Sequence, residues 1–583
     1  MSVLRQVEAV RNNAGIWRRA SHTIFRLAGK DAGTWLQSQT TNDVLALRSG
    51  GGCRNAMLDR KGRIQAFFST HRFEDEYWII IERAQAPAFQ QRLETHLFLE
   101  EVSAEEVGAD TLQILVEGPR ALIFLAGMLG GSAATLPDEP HAFTAIRLLG
   151  DEVLAFRHSE SGEDGFLIVP APGEAQALYE ALLERGGEYS VPEIEEPALH
   201  ALRFEAGVGQ FGRDVDEGVI ISETPMVRDA VSYDKGCYQG QEVVQRLRTY
   251  GAPKQALMGL VVEGEGAVLP APGDALTVQG EKIGRMRSSQ WSPTFAAWLA
   301  YAYLDRKHRT PDQVLEVEGP KGTVCARVTP LPFYTGRSRA ENARIHYDEA
   351  LRQFEADTHD EQDTAIELLK EAIILRPDFE DAYEALGVIL HRHQRTDEAI
   401  QAMKQLERIN PNSVMAHTNL SVFYVSKGLI QEAEAEKAKA EHLQLKQQLD
   451  ARETQRMAAA QRATIRREAQ ERIQMFREVL EVDPEDPVAL LGLGRAHVQL
   501  EEPEQALPYY EQACHLHPDY SAAFLDWGKC LEFLGRVEEA AKVYANGIAA
   551  AGRKGDLMPL REMERRRKAL TRPPAQSSPA ATE

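Results

Sequence analysis

Two rhythms of hydrophobic and polar positions divide this chain of 583 residues. Up to about residue 335, short runs of period two alternate with stretches at helical spacing, and Gly and Pro interrupt both. Tyr77–Ile81 (YWIII) is a β-rich run, and Ala300–Leu304 (AYAYL) alternates small and large residues. The stretches 275–286 (ALTVQGEKIGRM) and 314–328 (VLEVEGPKGTVCARV) alternate around Gly-containing turns, which predicts two hairpins. The expected architecture is an α+β body over 1–253 followed by a small antiparallel β-barrel over 254–337. Beyond about Ser338 the strand signals stop. Ala, Glu, Gln, Lys, Arg and Leu then recur at helical spacing, which predicts an all-α region.

Self-comparison resolves that region. Pro377 and Pro411 stand 34 residues apart, as do Pro484 and Pro518. Gly387, Ala399 and Met403 precede Pro411 at the same offsets at which Gly494, Ala506 and Tyr510 precede Pro518, and Gly528, Ala540 and Tyr544 repeat them. A 34-residue period with small residues at two fixed places is the tetratricopeptide repeat pattern. Two antiparallel helices cross closely there, and a larger side chain would force them apart. Such hairpins stack into a solenoid, whose concave face is the expected site for a protein partner. The predicted blocks are 338–445 and 476–570, separated by a charged helical spacer over 446–475 and followed by a disordered tail over 571–583.

Composition narrows the function classes. With 66 Lys and Arg against 88 Asp and Glu, the formal charge of −22 argues against a protein that coats nucleic acid. The basic run Arg561–Lys568 reads as part of a solvated capping helix. Five cysteines, at 53, 237, 325, 514 and 530, are odd in number, and no two have C-x-x-C spacing. That argues against a disulfide framework and a self-contained four-cysteine metal site, and it suggests a reducing compartment. The longest apolar runs, such as Ala121–Leu129, fall far short of a membrane span. The first twenty residues show no signal-peptide pattern, so the expected location is cytoplasmic.

Standard catalytic motifs are missing: no phosphate loop, no HExxH, no GxSxG. Gly207–Gly212 (GVGQFG) fits GxGxxG by letters, yet the RDVDEG that follows offers no apolar helix face. His391/His393 and His515/His517 lie at i,i+2, on different sides of a helix, which argues against joint metal binding. The informative segment is 234–242, DKGCYQGQE. Gly236 and Gly240 permit tight turns around Cys237, and Lys235 would favour its thiolate, the nucleophilic and metal-binding form. A helix beginning near Gln241 would add its positive end. Cys237 is the candidate reactive thiol, whereas Cys53, Cys325, Cys514 and Cys530 read as structural.

Lys235 to Glu242 resembles the K-G-C-Y-x-G-Q-E signature of the YgfZ-type folate-binding proteins, relatives of the glycine cleavage T-protein that act in iron–sulfur cluster assembly or repair. Leu36–Val44 (LQSQTTNDV), 58–64 (LDRKGRI), 202–217 (LRFEAGVGQFGRDVDE) and Leu331–Tyr334 (LPFY) are similar to further stretches of that family, and the resemblance spans about residues 10–335. It implies a T-protein-like fold and tetrahydrofolate or a derivative as cofactor. Glu205 would accept from the pterin N–H groups, and Asn42 and Asp43 would line the same opening. Arg246 would meet the anionic tail, and Tyr238, Gln241 and Glu242 of the signature would complete the cofactor set. One cysteine cannot hold an iron–sulfur cluster alone, so Cys237 would meet a cluster only transiently, together with a client or carrier protein.

One departure concerns catalysis. Where a T-protein carries an acidic pair, this chain has 62–67 (GRIQAF), ending in Ala66-Phe67. Without that carboxylate, aminomethyl transfer lacks its general acid/base. Three readings follow: a folate-binding maturation factor with a partner-recruiting repeat arm, a folate-dependent one-carbon transferase, and a protein-interaction scaffold.

Overall fold

The period-two segments pair as antiparallel strands in two five-stranded sheets and a closed six-stranded barrel. The computed structural model describes residues 1–107, 111–263, 271–319, 322–355 and 359–570. The tail over 571–583 lies outside the described residues. Residues 1–436 form one compact unit and the residues from 437 onward a second.

In the first sheet the strand order is Gly15–Arg18, Ile114–Glu117, Gly165–Pro170, Asp151–Arg157 and Phe143–Leu148. The second runs Gly52–Leu58, Ile64–Arg72, Glu76–Glu82, His22–Ala28 and Ser103–Glu106. The YWIII run lies in the Glu76–Glu82 strand, with Ile80 opposite Ile24 and Ile81 opposite Phe68. Alternation along Ile64–Arg72 buries Ile64, Ala66, Phe68 and Thr70 and sends Gln65, Phe67 and Ser69 to the other face. Both expected hairpins are present in the barrel. Ala275–Val278 pairs with Glu281–Ser292, and Val314–Gly319 with Gly322–Thr329, the turn at 320–321 lying outside the described residues. Leu260, Leu276, Ala302, Leu315 and Val328 fill the barrel interior. Cys325 differs from its structural reading: it sits on the outward register of the Gly322–Thr329 strand and is exposed, whereas Cys514 and Cys530 are buried.

The repeats form helix hairpins from Arg339 to Ile409, continued by Val414–Ser426, and in the second unit from Pro487 to Lys554. The repeat glycines have the packing role their spacing implied. A β-carbon at Gly387, Gly494 or Gly528 would lie 2.5, 2.3 or 2.2 Å from Met403, Tyr510 or Tyr544 respectively. The charged stretch 446–475 lies inside one helix of 53 residues, Ile430–Val482. Nothing between 430 and 482 interrupts it, because that stretch contains neither Gly nor Pro.

One helix of the body is apolar on every side. Ala121–Met128 buries all six residues from Ala121 to Ala126. Its cluster joins Ile114, Ile146 and Phe166 of the first sheet to Ile366, Leu369 and Leu375 of the first repeat block. Arg120 pairs with Glu371, and Arg339 Nε donates to Asp164 at 2.6 Å across the same junction. No helix among the described residues is long and apolar enough to cross a membrane.

Candidate functional site

The outward face of the Ile64–Arg72 strand forms one wall of a narrow cleft of about 70 Å³. Phe67 and Ser69 come from that strand, Ile80 and Glu82 from its neighbour, and Val208, Gly209, Phe211 and Met226 close the opposite side. The GVGQFG stretch is therefore a lining loop, with Gly207 at φ +71° against Pro332, and no helix follows it. A second cleft of about 340 Å³ shares Arg54, Phe67, Val208, Gly209 and Met226 and adds Arg228 and Asp229.

The floor of the first cleft is a buried charge network. Arg19 Nε donates to Glu160 Oε1 at 2.7 Å, and Arg19 Nη1 donates to Gln113 at 3.1 Å. Arg203 stands 3.5 Å from both Glu160 and Glu82. Burial opposes the Glu160 charge, yet Arg19 and Arg203 hold its carboxyl well below the usual range. Glu82 goes the other way: burial outweighs Arg203 and raises it. Burial also lowers the neighbouring imidazoles, His158 to about 4 and His71 to about 3. The cleft thus combines apolar walls, neutral histidines and one carboxyl inclined to hold a proton.

Cys237 is exposed on the loop before the helix Gln241–Tyr250, which starts where the sequence placed it. The 58–64 turn and the signature loop pack on each other. A β-carbon at Gly240, whose φ is +85°, would come within 2.5 Å of the Asp59 carbonyl oxygen, so only glycine fits. Arg92 brackets the two segments by donating to the Leu58 carbonyl at 3.2 Å and to Gln239.

The Lys235 ammonium is engaged away from the thiol beside which the sequence places it. It is buried and donates to the carbonyls of Gln37, Thr40 and Asn42 at 2.6, 2.6 and 2.9 Å. All three donors are used, so Lys235 clamps the signature loop onto the 37–42 segment. Burial pushes Lys235 down to about 8, opposed by Asp43. Tyr238 lies in the core between barrel and sheet; burial raises it to about 12, and its hydroxyl has no hydrogen-bond partner among the described residues.

The residues expected to bind the cofactor are scattered rather than gathered. Glu205 is fully buried, and its carboxylate accepts from Arg11 Nη2 at 2.6 Å, Ser292 Oγ at 2.5 Å and Thr294 Oγ1 at 2.7 Å. This ties the N-terminal helix to the barrel and leaves no open face for a ligand. Asn42 Nδ2 donates to the carbonyls of Arg54 and Asp229 at 2.9 Å each, which positions the rim of the second cleft. Asp43 Oδ1 accepts from Gln37 Nε2 and the Ala46 amide. Gln241 is half-buried, and Arg246 and Glu242 are exposed on the signature helix. None of these residues, nor any residue of 234–242, lines either cleft. Sequence reasoning missed Arg19, Arg54, Glu160 and Arg203. The acidic run in 158–164 (HSESGED) was the one available signal, and nothing local to it named its arginine partners.

Comparisons with known proteins agree with this architecture. Residues 1–235 match the GCVT N-terminal domain and residues 255–335 the glycine cleavage T-protein C-terminal barrel domain. Residues 362–414, 473–520 and 491–554 match a tetratricopeptide repeat. The aminomethyltransferase of Halalkalibacterium halodurans is 28% identical over 341 residues, covering 57% of this chain and 90% of the relative. That of Bacillus cytotoxicus is 28% identical over 337 residues, with the same coverage of 57% and 90%. The solved glycine cleavage system aminomethyltransferase T of Bartonella henselae shares the fold, at 23% identity and a TM-score of 0.51 over 58% of this chain and 90% of that one. The chain therefore carries both T-protein domains, followed by tetratricopeptide repeats that serve protein interaction.

Proposed function

We propose that this chain is a YgfZ-type folate-binding factor that supports iron–sulfur cluster assembly or repair through Cys237, with the repeats recruiting a protein partner. The observation that carries the reading is Phe67. The side chain that faces the cleft at the position of the T-protein acid is a phenyl ring, which suits holding a flat ring and cannot move a proton. Reduced folate fits the residues present. Phe67, Phe211 and Met226 offer apolar faces to a pterin, while Glu82 and buried His158, whose Nε2 lies 3.6 Å from Glu160, offer polar contacts. Arg54 and Arg228 at the second cleft would meet the carboxylates of the tail. When bound, the folate would supply one-carbon or redox chemistry; the chain itself supplies the apolar walls, the fixed charges and the exclusion of water.

Cys237 is exposed and stands on a loop braced by Lys235, Arg92 and the Gly240 contact. An exposed thiolate on a rigid loop can share a cluster with a second protein or exchange with its thiols. The testing experiment is complementation of a bacterium lacking its own YgfZ-type protein, with an iron–sulfur enzyme assayed. Rescue by the wild type and loss in Cys237→Ala are expected; equal rescue by both refutes the thiol mechanism.

Glu82 favours a second reading, a folate-dependent one-carbon transferase. It faces the cleft and burial raises its carboxyl, which suits an acid/base role. Turnover of methylene-tetrahydrofolate that is abolished in Glu82→Gln would establish that alternative.

A further inference from the structure

The surface around Cys237 has a charge opposite to that of the chain as a whole. The 58–63 turn and the 234–248 segment, which pack together through Gly240 and Gly62, carry five exposed Lys and Arg, the buried Lys235 apart, and three Asp and Glu, in a chain of net charge −22. Arg60, Lys61, Arg63 and Arg246 are exposed, and no side-chain ion pair ties up Arg60, Lys61 or Arg246 among the described residues. The acids nearby are Asp59, which accepts from the amides of Lys61 and Arg63, and the exposed Asp234 and Glu242. The turn that bears the cations packs against Gly240, three residues from Cys237 in the sequence, so the cations and the exposed thiol belong to adjoining segments.

We propose that this surface docks an acidic patch of a protein partner over Cys237. The proposal rests on the reading that Cys237 acts on a protein, and it names the chemistry of that partner. A patch of this size, broken by three carboxylates, suits a local cluster of Asp and Glu. A nucleic acid would need a longer continuous track, and the strongly negative chain would repel it. The cations would speed and orient encounter more than they would tighten the final complex.

The test follows Cys237 in a Cys325→Ser background, because Cys514 and Cys530 are buried and burial pushes Cys53 up to about 12. Its rate is compared with the anionic disulfide 5,5′-dithiobis(2-nitrobenzoate), the cationic disulfide cystamine and neutral iodoacetamide, in the parent, in Arg60→Glu/Lys61→Glu and in the milder Lys61→Gln. At low salt the double reversal is expected to slow the anionic reagent about fivefold and to speed cystamine, with Lys61→Gln intermediate and both effects lost in 1 M salt. Iodoacetamide, compared at a pH where the thiol is fully ionised, should react equally in all three, which shows that the thiol and the fold are intact. Poly-L-glutamate should protect Cys237 from iodoacetamide in the parent and not in the double reversal. Equal rates with both charged disulfides in all variants overturn the proposal, and so does better protection by a single-stranded oligonucleotide than by poly-L-glutamate. Loss of rescue in Cys237→Ala is read independently, so failure of the docking surface and failure of the maturation role are told apart.

Discussion

Lys235→Met separates a clamp from a thiol activator. Methionine matches the length of the lysine and removes the ammonium, leaving the carbonyls of Gln37, Thr40 and Asn42 without their donor. Each buried acceptor left unpaired costs about 1–3 kcal/mol. Relief of the ammonium's own desolvation, and water reaching the half-buried Gln37 and Asn42, offset part of this, so a net loss of about 3 kcal/mol is expected. For a compact unit that runs from residue 1 to 436 that corresponds to roughly 3 °C in Tm. The assay is thermal unfolding of the full chain by tryptophan fluorescence, paired with the pH dependence of Cys237 alkylation by iodoacetamide. If Lys235 is a clamp, the Tm falls and the apparent pKa of Cys237 stays within about 0.3 units. An unchanged Tm together with a Cys237 pKa raised by a unit or more would refute the clamp and restore the lysine as activator.

Acid should loosen the body in a window set by its neutral histidines. Burial holds His158 at about 4 against an ordinary 6.5, so the unfolded chain binds the extra proton first as pH falls. The stability this group contributes is full above pH 6.5 and is lost on the way down to about 4. His158→Phe should flatten that limb of a pH–Tm profile by up to about 3 kcal/mol, and an unchanged profile would contradict it. Glu160→Gln should cost about 3–5 kcal/mol, read by urea unfolding, because it leaves buried Arg19 without its carboxylate and Arg203 with Glu82 alone. Gly528→Val should destabilise the second helical block by about 1–3 kcal/mol or more, since its β-carbon meets the Tyr544 ring, whereas Gly552→Ala, with open space around it, should not; helical circular dichroism on heating distinguishes them. Truncation after Arg337 should leave a body that binds a hydrophobic dye and self-associates, measured by fluorescence and sedimentation. A monomeric truncation melting within about 2 °C of the full chain would show that the first repeats are dispensable to the body.

The features legible in the sequence are those written in local or periodic form. The barrel hairpins at 275–286 and 314–328 follow from alternation and turn residues within a dozen positions. The repeat hairpins follow from glycines and alanines at a fixed period, and the structure shows aromatic and methionine side chains seated on those glycines. The turn around Cys237 and the helix beginning at Gln241 were likewise readable from the local residues. Partners brought together from distant segments were not. Lys235 stands beside Cys237 in sequence, but its acceptors lie 193 to 198 residues away, so proximity along the chain suggested the wrong neighbour. Glu205 meets Arg11 across 194 residues and Thr294 across 89. A family motif shows that a carboxylate stands there, whereas only the fold shows which groups saturate it. Phe67 was read as a missing acid, and period two on its strand decides that its ring faces the cleft while Ala66 faces the core.

The apolar helix Ala121–Met128 gives the fusion of the two folds a physical meaning. A helix exposed on one side of an isolated body would keep a polar stripe there, yet the residues Ala121 to Ala126 carry no polar side chain and all are buried. Its two coverings are the first sheet and the hairpin that begins the repeats, within one hydrophobic cluster. Arg120 with Glu371 and Arg339 with Asp164 span that junction, and Asp164 is the buried partner among them. The first repeat block is thus a part of the body's core and not an arm on a flexible tether. A partner seated on that block would be held at a constant offset from the clefts and from the Cys237 loop, so recruitment would set orientation as well as local concentration. For a thiol that must share a ligand set with a second protein, orientation is the scarcer of the two, because the donor atoms of one cluster have to meet within ångströms.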